Sequence, residues 1–451
     1  MRNEFVVGVD LGSSYVRAAL GKQNSEGNIE ILSISKIPTS GHVSNGEIVN
    51  INKTAQAVSE ALRSVTSGVS GKAQDLSYVA NITGAHIKVH PFTIQQVREN
   101  PRNPVSEKEI YDLTQRAKKS IYENNHCVLH TLTLGFKVDQ SRETLDPIGI
   151  VGTMLNGDYL FVTADEEKLD TLKQTIKASD LSSISEGMTF FSQLATGQAV
   201  LSDEEKNAGV ALVDIGSGTT EISVYQNNRL RHSKVLPWGG DLLTEDISTG
   251  LNISLEHAES LKTKFGSALS KEIDVKEIVL VPGIAGRKPS PISAKNLAII
   301  IEERIRELSA AIWVEIGKVA DPESLKAGVV IVGGGAQLPD IAETMQKITG
   351  IECRIGEPFE RGNSLQLEEE MNSPEYATAI GLVKIFYQQI EIPTELEIEE
   401  NEIISDSLPT SIPGQVKEPA KPKEPKVNFK KFLDRVVEVV MGNDDDVSKE
   451  W

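Results

Sequence analysis

Two stretches of the chain share one pattern of apolar and polar positions. In one, Val210-Ala-Leu-Val-Asp214-Ile-Gly216-Ser217-Gly218-Thr219-Thr220, an apolar run ends in a carboxylate and a small-residue turn, then returns through Glu221–Tyr225. In the other, Phe5-Val-Val-Gly-Val9-Asp10-Leu-Gly12-Ser13-Ser14 is followed by Tyr15–Leu20 in the same manner. Unbroken apolar runs read as buried strands, Gly/Ser clusters as tight turns and alternating returns as second strands. Two hairpins of one grammar predict two similar half-molecules.

Around them, the pattern predicts strands at 29–36, 78–82, 127–138, 159–163, 275–281, 329–332 and 353–355. Helical spacing occupies 53–64, 110–121, 169–178, 190–201, 242–247, 254–265, 293–319, 339–349 and 374–388. Ser106-Glu-Lys-Glu109 has capping-box spacing before one of these helices. In the long 293–319 helix the stripe Leu297, Ile301, Ile305, Leu308, Ile312 supplies the buried face. Strands, hairpins and helices in this order predict an α/β fold with mixed sheets. The stretch 85–164 reads as an inserted α/β subdomain that begins with a Pro- and Asn-rich loop.

The pattern changes at about Glu391. Acidic residues, then Lys/Glu/Pro repeats such as Lys421–Lys426, read as a disordered linker over 391–427. Beyond it, Phe429, Phe432, Leu433, Val436, Val437, Val440 and Met441 fall on one face of a helix over 428–442. A helix of this length is marginal alone in water, so its apolar face needs a membrane surface or a partner groove. Each of the seven side chains contributes on the order of 1 kcal/mol when partly buried, which makes a weak, reversible anchor. Weak anchors of this kind act only when several are joined.

Composition narrows the function. At 451 residues the chain exceeds one ordinary core. A net charge of −19 opposes phosphate polyanions, so no nucleic-acid partner is expected. Cys127 and Cys353, far apart, read as buried free thiols. His126 and His130, four apart on an expected strand, would not face one metal ion. Neither a signal-peptide core nor an apolar stretch of roughly 18 residues is present, which leads us to expect an intracellular chain not integral to a membrane.

The chemistry lies in the turns. Glycines let backbone N–H groups converge on an anion, hydroxyls add donors, and a carboxylate can hold a hydrated divalent cation. A third element, the buried strand ending in Gly333-Gly334-Gly335-Ala336, allows a flat or anionic group close to the backbone. Glu259 and Lys262 lie one turn apart on a helix, either a surface ion pair or a pair facing a ligand.

This constellation resembles the actin-like ATPase superfamily, which includes actin, the 70-kDa heat-shock chaperones and the sugar kinases. The match is closest to the FtsA family of bacterial cell-division proteins. It is carried by Thr83–Ile87, Leu129-His130, Phe136–Asp139, Asp146–Gly149 and Leu201–Lys206, and by the tail layout. Two departures are Ser13 where Thr is commoner and Lys88–Phe92 in place of an Asn/Ser/Gly run.

The resemblance implies an actin-like two-domain fold clasping ATP and Mg2+. Asp10, Gly12, Ser13 and Ser14 match its first phosphate motif, and Asp214, Gly216, Ser217, Gly218, Thr219 and Thr220 its second. Gly333, Gly334, Gly335 and Ala336 match the adenosine motif, and Glu259 and Lys262 the ribose contacts. Asp10 and Asp214 would hold Mg2+ through water. Gln198 is the candidate for positioning water, with at most weak ATPase activity expected.

The implied division is 1–84 with 165–207 and 372–390 as the first domain and 85–164 as its insert. The second domain comprises 208–242 with 316–371, and 243–315 forms its outer subdomain. The implied role is a self-assembling adaptor that binds the FtsZ C-terminal peptide, tethers the FtsZ ring to the inner face of the cytoplasmic membrane and recruits later divisome proteins. Arg304 is the candidate for meeting the acidic peptide. A small-molecule kinase or a chaperone-like ATPase of the same superfamily is the alternative.

Overall fold

A computed structural model describes residues 5–68, 76–121, 125–184, 186–281, 288–358, 365–366 and 368–388. The chain divides into a unit ending at Ile392 and a second unit, Pro393–Trp451. The expected linker and amphipathic helix belong to the second and lie outside the described residues. Among the described residues, no helix is long and apolar enough to cross a membrane.

Two sheets organise the first unit. One has the order Glu186–Phe191, Leu76–Ile82, Phe5–Leu11, Tyr15–Gln23, Ile29–Pro38 and the short Leu365–Gln366. The other has the order Cys353–Ile355, Val329–Val332, Val210–Ile215, Thr220–Gln226 and Arg229–Leu236. In each, three consecutive strands run antiparallel, and two later strands add in parallel beside the first strand of the hairpin. Both even carry a register shift between second and third strands, at Leu20/Gly21 and at Val224/Tyr225. The duplication read from two turns therefore extends through five strands of each sheet, with Leu365–Gln366 an addition to the first.

Two helices pass between the sheets. Ser192–Val200 leads from the first sheet toward the second, and Ala377–Gln388 returns to pack on the first. They touch backbone to backbone: a Cβ on Gly381 would lie 2.0 Å from the Ala195 carbonyl oxygen. Gly8 has the same role on the sheet, where a Cβ would come within 2.1 Å of the Ala379 oxygen. The hydroxyls of Thr196 and Thr378 bond at 2.8 Å inside this crossing. Small residues are therefore a steric condition of the crossing.

The stretch read as an insert is a three-stranded antiparallel sheet in the order Lys88–Val97, Met154–Asp165, His126–Val138. Its helix Glu107–Ser120 begins with the expected capping box, Ser106 and Glu109 bonding reciprocally. One side of the sheet has its own core of Leu113, Phe136, Leu155, Tyr159 and Phe161. The other side adds Leu160, Val162 and Ala164 to the core of the first sheet.

Several expected boundaries move. Lys88–Val97 is a strand where the sequence reads as loop; as an edge strand it tolerates Pro91. The helix expected from Phe190 starts at Ser192, because Phe190 and Phe191 complete a buried parallel strand. The long helix spans Ala294–Ile316, with Ser293 as its N-cap, and its expected stripe is buried throughout. Cys127 and Cys353 are free but half-buried rather than fully enclosed.

Candidate functional site

A cavity of about 400 Å³ opens between the two sheets, lined by both hairpin turns and the triple glycine. The turns are built alike. The Gly12 N–H donates to the Tyr15 carbonyl at 3.0 Å, and the Gly216 N–H donates to the Thr219 carbonyl at 2.8 Å. The tips meet: a Cβ on Gly218 would lie 2.7 Å from Ser13 Oγ and 2.9 Å from the Asn45 nitrogen. Ser13 Oγ accepts from the Gly46 N–H at 3.1 Å. Behind the second turn, the Gly240 and Asp241 N–H groups donate to the Gly216 and Ser217 carbonyls at 2.9 and 2.8 Å. This seats the N-terminus of helix Gly240–Leu251 against the turn.

Asp10 and Asp214 enter the cavity from opposite halves. Asn81 Nδ2 donates to Asp10 Oδ1 at 2.7 Å, while Asn81 Oδ1 accepts from the Leu11 N–H at 2.7 Å. Burial pushes Asp10 up to about 6, offset in part by Arg17. Burial and the charge of Asp10 push Asp214 up to about 7. Glu221, fully buried beside them, is pushed up to about 8 by burial and by Asp214. Three crowded carboxyls with raised pKa values are under-compensated by positive charge.

A divalent cation fits that imbalance, and the turn hydroxyls and carboxylates are oxygen donors of the kind Mg2+ takes. Among the described residues, no group of three or more is arranged to grip a metal directly.

The far wall carries the glycines. Gly333 has φ of 84°, and a Cβ there would sit 2.2 Å from Asp214 Oδ1, so only glycine fits behind that carboxylate. On the outer side, Lys262 Nζ bonds Glu259 at 2.6 Å, Thr244 Oγ1 at 2.8 Å and the Gly240 carbonyl at 2.9 Å. Lys262 is largely buried while Glu259 is half-exposed, so the lysine's further bonds to Thr244 and Gly240, rather than the i, i+3 pairing alone, hold it at the cavity wall.

The cavity gathers Asp10, Gly12, Ser13, Ser14, Asp214, Gly216, Ser217, Thr219, Glu259, Lys262, Gly333, Gly334 and Gly335. Gly218 packs the turn tips together, and Thr220 and Ala336 are buried behind the lining. Gln198 is outside the cavity lining; its Oε1 accepts from Lys206 Nζ at 3.0 Å. Ser192, at the other end of that helix, lines the cavity instead.

Arg304 has acidic partners within the chain. Its guanidinium is 12% exposed and bonds both oxygens of Asp246 at 2.5 and 2.9 Å, with Glu307 at 2.8 Å. The acid it meets is internal, because its side of the helix faces Gly240–Leu251 rather than solvent.

The sequence reading also missed a charged cluster. Arg17 bonds Glu375 at 2.9 Å, Lys36 bonds the same carboxylate at 2.6 Å, and all three line the cavity. Arg17 stands directly opposite Asp10 in the hairpin register, so the cross-strand pairing was the available signal.

The model of the family described as "Cell division protein FtsA" matches residues 211–381, and that of the "SHS2 domain inserted in FTSA" matches 84–163. FtsA of Neisseria meningitidis serogroup B is 30% identical over 383 residues, 85% of this chain and 90% of that protein. The chain belongs to the FtsA family of cell-division proteins. FtsA of Pseudomonas aeruginosa is 27% identical over 441 residues, 98% of each chain, so that likeness runs through the tail as well.

Among solved structures, the FtsA-family chain shares its fold with the PilM-PilN type IV pilus biogenesis complex at TM-score 0.59. That likeness has 16% identity and covers 85% of this chain and 98% of that one. It likewise resembles MreB 5 of Spiroplasma citri bound to AMPPNP at TM-score 0.50 and 12% identity, covering 86% and 98%. The fold is actin-like.

Proposed function

We propose that this FtsA-family protein binds ATP with Mg2+ in the cleft between its two sheets, and that ATP governs self-assembly. The observation that carries the reading is the mirrored pair of turns, each placing an Asp and a Gly/Ser loop on one side of a single cavity. In this reading the turn N–H groups and hydroxyls, with Arg17, cradle the phosphates. Glu259 and Lys262 bond the ribose, and Gly333–Ala336 forms the adenosine face. The MreB 5 likeness, with its bound AMPPNP, supports a nucleotide in this fold. Mg2+ supplies charge neutralisation between the carboxylates and the phosphates. Hydrolysis is at most weak in this reading, and Ser192, which lines the cavity, is a better candidate than Gln198 for contact with the nucleotide.

In the same reading, the domains follow the boundaries expected from sequence. The outer subdomain, residues 243–315, takes the C-terminal peptide of FtsZ. Val275, Ile278 and Leu280 there are each more than 60% exposed, which supports an apolar contact. The helix 428–442 lies on the inner face of the cytoplasmic membrane at the division site, where the polymer tethers the FtsZ ring and recruits later divisome proteins.

The test is sedimentation of the intact chain, and of a chain ending near Glu400, with anionic liposomes with and without ATP. The intact chain alone sediments, more so with ATP. Equal sedimentation of both chains defeats the anchor. Rapid phosphorylation of a sugar or acetate in a coupled assay would favour a kinase instead.

A further inference from the structure

We infer that His130, in the inserted sheet, positions the phosphate end of the cleft through a buried hydrogen-bond relay. The relay starts at Asp10, whose Oδ1 accepts from Asn81 Nδ2 at 2.7 Å. The same amide group donates to Ser192 Oγ at 3.0 Å, so one NH2 spans the carboxylate and the first residue of the crossing helix. Ser192 follows Phe191, the N-cap position of that helix, which has no side-chain cap. The Phe191 N–H is taken instead by His130 Nε2 at 3.0 Å.

The side chains beyond Asp10 are nearly sealed: Asn81 is 2% exposed, Ser192 2% and His130 4%. The His130 ring also packs on Phe190 at 4.4 Å between centroids. Burial lowers the His130 pKa to about 3, which keeps the imidazole neutral, and the bond from the Phe191 N–H makes Nε2 the acceptor nitrogen. The strand is shaped for this contact. Its register against Met154–Asp165 shifts between Val128 and His130, an irregularity of the kind that re-aims one side chain.

A structural histidine would need only a partner. This one closes a path from the insert to a carboxylate in the cavity, and neither end touches the other directly. A small rotation of the insert against the first sheet would move Phe191, hence Ser192, hence the amide that holds Asp10. The coupling is reciprocal, so a ligand at Asp10 must bias the insert to the same extent.

The inference rests on the nucleotide reading of the cleft, and the experiment separates the two. Affinity for a fluorescent ATP analogue is measured for wild type, His130→Leu, Ser192→Ala and the double variant, with circular dichroism confirming folding. We expect His130→Leu to weaken binding at least about fivefold, and the double variant to lose no more than the worse single variant. His130→Asn, which retains an acceptor, recovers part of the loss. Unchanged affinity in folded His130→Leu, or losses that simply multiply, overturns the relay. Failure of wild type to bind the analogue overturns the reading beneath it as well. Should His130→Leu not fold, hydrogen exchange of wild type decides: ATP slows exchange at Phe191 and across 126–138, and unchanged exchange there contradicts the relay.

Discussion

Thr83 Oγ1 donates to Glu221 Oε1 at 2.6 Å, and this buried bond joins the first sheet to the second at the rear of the cleft. Thr83 follows the last residue of a strand in one half, and Glu221 lies in the return strand of the second hairpin in the other. The bond is one direct side-chain tie between the two halves. Replacing Thr83 by Val removes the donor and leaves the shape, at a cost of about 1–3 kcal/mol for a buried acceptor without its partner. The expected outcome is faster release of bound ATP with a lowered unfolding temperature, read by stopped-flow displacement and calorimetry. Unchanged release would show that the bond does not hold the halves together.

Glu221 also sets a pH dependence. Its pKa is raised to about 8 in the folded chain by burial and by Asp214. A raised carboxyl pKa supports the fold below the ordinary carboxylate range, and that support is lost as pH rises from about 4.5 through 8. Glu221→Gln cannot lose a proton and so escapes the decline. The variant is expected to match the nucleotide-free wild type near pH 5 and exceed its unfolding temperature by a few degrees near pH 8. A gap that is constant across pH would contradict the raised pKa.

Glu259 and Lys262 test the sugar end. If they bond the ribose, wild type binds ATP about tenfold more tightly than 2′,3′-dideoxy-ATP, and Lys262→Met removes most of that preference. Equal discrimination by both proteins would return the pair to a purely structural role.

At Gly381, the added methyl of Ala would collide with the Ala195 carbonyl. We expect Gly381→Ala to cost about 1–3 kcal/mol by chemical denaturation, with the crossing helices forced apart. A cost under about 0.5 kcal/mol would mean that the crossing is looser than its geometry.

The duplicated hairpins were legible because a buried strand, an acidic end and a small-residue turn each leave a local mark, and the mark recurs. The triple glycine was legible for the same reason. Arg17 could have been found from its place opposite Asp10 in the hairpin, but Glu375, which joins it to Lys36, reaches the site only through tertiary packing. Thr83 and Ser192 look like ordinary polar residues at element ends until the two sheets are set face to face. Gln198 bonds Lys206 outside the cavity, while Ser192 in the first turn of the same helix lines it, and only the packing of that helix between the sheets distinguishes the two positions. Arg304 was read from one helix alone, and its partner Asp246 lies on another. The expected helix stripe Leu297–Ile312 succeeded because burial of one face needs only periodicity.

The most direct test of the account is magnesium-dependent ATP binding by wild type and Asp214→Ala, followed by liposome sedimentation of both. The account predicts that wild type binds ATP and sediments more with it. Asp214→Ala, still folded, loses ATP binding and, with it, the ATP-dependent gain in sedimentation. An Asp214→Ala protein that binds ATP as wild type does, or that loses recruitment while ATP binding is intact, contradicts it.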